Sequence, residues 1–276
     1  MKSIGYLGPE GSYSHEVAMH IGKDCKLVAF EPSKFAQALR EKKTWKVVLP
    51  IVNAIGGQVQ WALDLLMDSD GYTITGEVIW DIRSHLIGFG TKAQIKIVYS
   101  HSQPLDQCRG FMADMPGIIT KGMAGTSAAV KLVADQKDPT LAAIGTERAA
   151  LLYRAPVIAK NISDFPNNQT RFIVFGGRKS SPTGGDRTTL LFGTPNKPGA
   201  LLRVLEIFDA LDINMGTILS TTSPERRLGE CLFLVDVDGH QREQALHVAL
   251  SRINARVKYL KVLGSYPKVT HAANAS

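Results

Sequence analysis

Residues 176–186 read Gly-Gly-Arg-Lys-Ser-Ser-Pro-Thr-Gly-Gly-Asp, and no other stretch limits the fold as strongly. Glycine resists both helix and strand, and this run has no apolar side chain to bury, so it has the chemistry of a linker. The tail beyond it is a compact unit. Its pattern reads strand (188–192), helix (199–211), strand (215–220), strand (230–237), helix (242–252), strand (257–263). That βαββαβ order is ferredoxin-like.

Ahead of the linker, short apolar runs alternate with helical patterns, as expected of an α/β fold. Strands are expected at 4–7, 46–51, 72–79, 85–90, 95–99, 141–145 and 171–175. Ser12 or Ser14 caps a helix running to Ile21. Val59, Leu63 and Leu66 share one face of a helix over 59–67. A helix opens after Ser100-His101-Ser102-Gln103-Pro104, another runs from Gly125-Thr126-Ser127 to Ala134, and another spans 146–153.

Composition narrows the function. A hydrophobic fraction of 44% and a charged fraction of 21% exclude wholesale disorder. Lys plus Arg is 32 against 25 for Asp plus Glu, a net charge of +7. The surplus is diffuse, its longest basic cluster being Arg40-Glu41-Lys42-Lys43, which suits a small anionic metabolite better than nucleic acid. Cys25, Cys108 and Cys231 are widely separated and form no CxxC, against a disulfide framework or structural zinc. The first residues are broken by glycine and proline, unlike a signal peptide. No apolar run approaches the roughly 18 residues of a membrane span. The expectation is a soluble cytoplasmic protein without metal, membrane or nucleic-acid partner.

Loops at 8–14, 53–57, 100–107 and 125–127 follow strands, with a fifth at 167–171 leading into one. Ligands of open α/β sheets sit where loops leave the carboxyl ends of strands. Small hydroxyl or glycine residues at helix N-termini offer N–H groups and a favourable dipole to a carboxylate or phosphate. Arg171 adds a cation able to grip a carboxylate bidentately. Each has a plainer reading: Ser12, Ser14, Thr126 and Ser127 as caps, Asn53 and Asn167 as turn residues, Arg171 as surface charge, His101 as a structural histidine. There is no P-loop, HExxH motif or nucleophile elbow, and Gly8-Pro9-Glu10-Gly11 is not a dinucleotide fingerprint.

At these loops the chain resembles the prephenate dehydratase family. The matching stretches are Gly5-Tyr6-Leu7-Gly8-Pro9-Glu10-Gly11-Ser12-Tyr13-Ser14, Tyr99 to Pro104 with Gln107-Cys108, Gly125-Thr126-Ser127-Ala128-Ala129, and Asn168-Gln169-Thr170-Arg171-Phe172. The tail is similar to the family's ACT regulatory domain, through Lys197-Pro198-Gly199-Ala200-Leu201-Leu202 and Leu263-Gly264-Ser265-Tyr266-Pro267. The resemblance implies a catalytic domain at 1–176, two-lobed like a periplasmic binding protein, with lobes 1–78 plus 162–176 and 79–161. A linker at 177–187 and an ACT domain at 188–276 follow. It implies conversion of the dicarboxylate prephenate to phenylpyruvate without a cofactor, a homodimer or homotetramer, and phenylalanine as effector. Catalytic roles fall to Thr170, Asn53, Gln107 and Ser100. Substrate binding falls to Arg171, Phe172, Ser12, Thr126, Ser127, His101 and Gly57, and the effector site to Gly199, Ala200 and Leu201.

Two departures stand out. The family's Ile-Glu-Asn-Ser motif here reads Ile51-Val52-Asn53-Ala54, losing a carboxylate and a hydroxyl, and the Gly56-Gly57 pair also occurs in plant-type arogenate dehydratases. The family's Glu-Ser-Arg-Pro phenylalanine motif falls at about Ser220-Thr221-Thr222-Ser223, without glutamate, arginine or proline, so altered or lost feedback is expected. Arogenate dehydratase, a prephenate decarboxylase-type homologue and a non-catalytic ligand-binding regulator stay open as alternatives. Retention of Thr170 speaks against a decarboxylase that keeps the ring hydroxyl.

Overall fold

The computed structural model describes residues 2–41, 43–68, 72–222 and 231–274. β1 (Ser3–Leu7) leads to α1 (Tyr13–Ile21), followed by β2 (Lys26–Phe30), α2 (Pro32–Arg40) and β3 (Lys46–Asn53). β4 (Gly57–Gln58), α3 (Gln60–Asp68), β5 (Ile74–Asp81), β6 (His85–Gly88) and β7 (Ile97–Ser100) come next. Then come α4 (Ser102–Gln107), α5 (Arg109–Ala113), β8 (Ile119–Gly122), α6 (Thr126–Gln136), β9 (Leu141–Gly145), α7 (Glu147–Tyr153), β10 (Val157–Ala159) and β11 (Gln169–Gly176). The tail holds β12 (Asp186–Gly193), α8 (Leu202–Asp209), β13 (Met215–Thr222), β14 (Cys231–Asp238), α9 (Gln244–Asn254) and β15 (Tyr259–Pro267).

These strands form three sheets. The first runs β2-β1-β3-β11-β5, with β4 paired to β3. β1 lies parallel to both neighbours. The second runs β10-β6-β9-β7-β8. Within it β7 is parallel to β8 and β9, while β6 is antiparallel to β9 and β10. The third, β13-β14-β12-β15, is wholly antiparallel, the strand order of a ferredoxin-like unit. The observed architecture is α/β, as the alternation of elements predicts.

Each sheet is held by burying its apolar side chains. In the second, Ile87 and Ala143 pack with Val130 and Val133 of α6 and Ala149 of α7. Beside them, Leu86, Val98 and Ile144 pack with Cys108 and Met112. In the third, Leu190, Phe192, Val235 and Val237 pack with Val204, Phe208, Leu246 and Ile253 of the two helices.

By packing, the chain divides into two compact units, residues 1–57, 79–171 and 272–276, and residues 58–78 and 172–271. The division passes through β5 and β11. Inside the second unit, the ferredoxin-like strands are tied to β5 and the residue preceding it. Arg187 Nη1 donates to both oxygens of the buried Glu77 carboxylate, at 2.7 and 3.0 Å, and the Val269 N–H adds a third bond at 2.9 Å. Thr73 Oγ1 donates to the Leu263 carbonyl at 2.9 Å. A side chain on Gly264 would strike the Ile74 carbonyl, so the backbone approach there requires glycine. The glycine-rich segment is also tethered: Thr183 bonds Asp186 through both backbone and hydroxyl, at 2.6 and 2.8 Å. No helix of the described residues is long and apolar enough to cross a membrane.

Candidate active site

β3 ends at Asn53 and β11 begins at Gln169, and their pairing brings Asn53 beside Thr170. The Ala54 N–H donates to the Gln169 carbonyl at 2.8 Å and closes that end of the ladder. Asn53 is buried, and its amide nitrogen lies 2.7 Å from Asn168 Oδ1, 2.9 Å from Thr170 Oγ1 and 3.1 Å from the Gln169 carbonyl. Its oxygen accepts from the N–H groups of Ile55 and Gly56 and, at 3.0 Å, from Gln103 Nε2. Asn168 Nδ2 donates to Gln107 Oε1 at 3.0 Å, while Gln107 Nε2 is buried without a partner among the described residues.

Thr170 is the chemical centre of this cluster. Its oxygen accepts from Asn53, and no acceptor for its own proton exists among the described residues. A hydrogen bond donated to a hydroxyl oxygen stabilises the charge that grows there when the proton departs. The pair therefore makes a poor acid a better one and leaves its proton for a ligand. Threonine, asparagine and glutamine carry no charge, so the cluster can receive an anion without a competing carboxylate.

The other expected residues are placed as follows. Arg171 follows Thr170 half-buried, and Phe172 is buried. Ser100 is fully buried and donates to the Ile144 carbonyl at 2.8 Å. His101 caps α4, accepting from the Gln103 N–H at 3.4 Å. Ser12 caps α1, accepting from the His15 N–H at 3.3 Å, and its hydroxyl donates to the Leu7 carbonyl at 2.9 Å. Thr126 opens α6, and the buried Ser127 makes a short bond to the Glu10 carbonyl. Gly57 is exposed with φ +74°, a conformation glycine adopts without penalty. In the tail, Gly199 also has positive φ (+74°), Ala200 is buried, and Leu201 packs against the sheet. Val52, in the family's carboxylate position, is half-buried and Ala54 is exposed.

Three residues were not picked out as site residues from the sequence. Asn168, rather than the exposed Asn167, joins the cluster, and Gln103 closes its other side. His15 is buried in the first turn of α1, stacked on Tyr6 at 5.0 Å between ring centres, and its Nδ1 accepts the Gly11 N–H at 3.0 Å. Burial holds His15 below the ordinary histidine pKa; Glu10 opposes that shift and Arg148 reinforces it. The neutral ring so favoured keeps Nδ1 an acceptor and fixes the loop carrying Ser12. Burial likewise pushes the Cys108 thiol up to about 12, which removes it as a nucleophile. No group of three His, Cys, Asp or Glu side chains suited to a metal occurs among the described residues.

The family model described as prephenate dehydratase matches residues 4–180, which include every residue of this cluster. The chain belongs to the prephenate dehydratase family. A second model, the ACT domain, matches residues 188–247. The prephenate dehydratase of Methanocaldococcus jannaschii is 34% identical over 273 residues, covering 96% of this chain and 98% of that one. The bifunctional chorismate mutase/prephenate dehydratase of Aquifex aeolicus is 33% identical over 270 residues, covering 96% and 73%. Among solved structures, the prephenate dehydratase of Arthrobacter aurescens in complex with L-Phe superposes with a TM-score of 0.87. It is 26% identical, with 96% of this chain and 90% of that one covered. A protein described as a novel type of quorum quenching acylase superposes at 0.86 with 26% identity, covering 97% and 98%. The chain thus has the two-lobed prephenate dehydratase fold with a C-terminal ACT domain, and it is an enzyme of a lyase family. Since the same fold carries a protein of another description, the reaction has to be argued from the side chains.

Proposed function

We propose that the chain is a prephenate dehydratase, converting prephenate to phenylpyruvate, CO2 and water in L-phenylalanine biosynthesis. The observation that carries this reading is the Thr170 hydroxyl, which accepts from Asn53 at 2.9 Å while its own proton has no acceptor among the described residues. In the reaction the bond from the ring to its carboxylate breaks and its electrons enter the ring. The C–O bond opposite breaks, and the departing oxygen takes the Thr170 proton and leaves as water. The threonine oxygen regains a proton from solvent. Aromatisation drives the step, so the protein mainly has to hold a dianion and protonate a leaving hydroxide. Arg171 binds one carboxylate. The backbone N–H groups of Thr126 and Ser127, at the start of α6, bind the other end of the substrate.

Regulation belongs to the same reading. The tail keeps Gly199-Ala200-Leu201 but has Ser220-Thr221-Thr222 where the family has its phenylalanine motif, and Ser223 lies outside the described residues. Thr221 is buried and its hydroxyl accepts from Gln60 at 3.0 Å. Loss of the motif's charged pair supports altered or absent phenylalanine feedback in a homodimer or homotetramer. Tight calorimetric binding of phenylalanine with strong inhibition would overturn this.

Incubation of purified protein with prephenate, with products identified by NMR, tests the activity. Phenylpyruvate is expected. A retained dihydro ring indicates a decarboxylase, and unchanged prephenate with turnover of arogenate indicates the amino-acid substrate; either result overturns the reading.

A further inference from the structure

A side-chain amide has two chemically different ends, so a chain of amides has a direction. Here the direction is set by the backbone. The N–H groups of Ile55 and Gly56 lie 3.1 and 2.7 Å from Asn53 Oδ1, and they can only donate. The Asn53 oxygen must therefore face them, and its NH2 must face Asn168 Oδ1 and Thr170 Oγ1. Asn168 then turns its own NH2 to Gln107 Oε1, which leaves Gln107 Nε2 buried without a partner among the described residues. Every amide in the series is fixed by the one before it.

We infer that Asn168 is a positioning residue: the backbone sets which end of the Asn53 amide faces Thr170, and Asn168 holds the tilt at which one amide hydrogen points at Thr170 Oγ1 and the threonine proton is left for the ligand. The inference rests on the function proposed above. The Asn53 nitrogen has two hydrogens and three oxygens within reach, at 2.7, 2.9 and 3.1 Å. Asn168 offers the shortest of these contacts and is 1% exposed, so no water replaces it cheaply. Without that acceptor the amide tilts toward the Gln169 carbonyl and competes with its bond to Thr170. Asparagine suits the position because it accepts on one side and donates on the other. Aspartate would keep the acceptor for Asn53, and Gln107 could turn its amide to donate to the second oxygen.

The test compares Asn168→Ala, Asn168→Asp, Asn53→Ala and the double variant Asn53→Ala/Asn168→Ala in prephenate turnover. Asn168→Ala should lower kcat by about tenfold to a hundredfold, the weight of a hydrogen bond to a charge-developing group, with KM changed by less than about threefold. Asn168→Asp should recover most of that loss in kcat, with KM raised because its carboxylate stands in the cluster that receives a dianion. The double variant should be no slower than Asn53→Ala, because Asn168 acts through Asn53. Unchanged kcat in Asn168→Ala, an Asn168→Asp as slow as the alanine variant, or multiplying losses in the double variant would each overturn the inference. If the wild type leaves prephenate untouched, the proposed function falls instead. The Asn53 side-chain amide signals in NMR then decide the relay on their own: Asn168→Ala must shift one of its two protons, and an unmoved pair overturns it. Should the alanine variant fail to fold, Asn168→Asp and Asn53→Ala carry the comparison.

Discussion

At the scale of single residues, the site is a problem in hydrogen-bond direction rather than charge. Thr170→Val keeps the shape and removes the proton, so kcat should fall by about 10²–10⁴, the range of a lost general acid. Thr170→Ser should retain measurable turnover, and a steady-state assay of both separates the hydroxyl from its methyl group. Gly56 offers a second test. A side chain there would strike Gln103 Nε2 and come within 3.3 Å of Asn53 Oδ1, displacing the Asn53 oxygen's side-chain donor. Gly56→Ala should therefore lower activity while leaving the thermal midpoint nearly unchanged. Thr170, Asn53 and Gln107 stand out in the sequence because each sits in a motif, and the structure joins them in one hydrogen-bonded cluster. The sequence concealed Asn168 because an Asn-Asn pair before a strand gives no sign of which member points inward, a matter of register that only the β11 pairing decides. The serine hydroxyls at 12, 100 and 127 bond to backbone carbonyls, a use that spacing cannot distinguish from a ligand contact.

At the scale of elements, the strong patterns were legible and the weak ones were not. Val47 to Ile51 and Leu141 to Ile144 are continuous apolar runs, and both are buried strands. β2 and β8 escaped notice because they lie at sheet edges, and the four residues of β8 are all exposed, so no alternation marks them. α8 begins at Leu202 rather than at 199, since Gly199 sits at φ +74°, outside helical geometry. The tie between β5 and the tail gives a prediction at this scale. Glu77→Ala would leave the largely buried Arg187 without the carboxylate that its Nη1 holds, and removing one member of such a pair costs about 3–5 kcal/mol. Chemical denaturation should show that loss. Gly264→Ala should destabilise the protein as well, because the atom it would strike is backbone and cannot swing aside.

At the scale of the whole molecule, stability responds to pH through buried groups. Burial lowers the pKa of both His15 and His85 from the ordinary 6.5. The unfolded chain therefore binds more protons than the folded one just below pH 6.5. Their contribution is present above that value and is lost as pH falls from about 6.5 through the lower folded values. Glu16 has the opposite sign: burial raises its pKa above 4.5, so its contribution is fullest below 4.5 and fades as pH rises through the raised value. Unfolding free energies from urea titrations between pH 7.5 and 5.5 should fall less steeply with falling pH in His85→Gln than in the wild type. The difference in slope should be at most about 1.4 kcal/mol per pH unit, one proton's worth. An identical slope would mean that His85 does not titrate differently on unfolding.

The placement of residues 58–78 bears on how such a protein can be inherited and rearranged. The glycine-rich segment invites a cut, and a tail taken from 188 onward looks like a portable cassette. Glu77 and the stretch of β5 under Gly264 would stay behind. A tail grafted from a relative would have to bring its own arginine for Glu77 and its own glycine for Ile74, or carry a matched copy of 58–78 along with it. Recombination at this junction is therefore constrained by a strand encoded more than a hundred residues upstream of it.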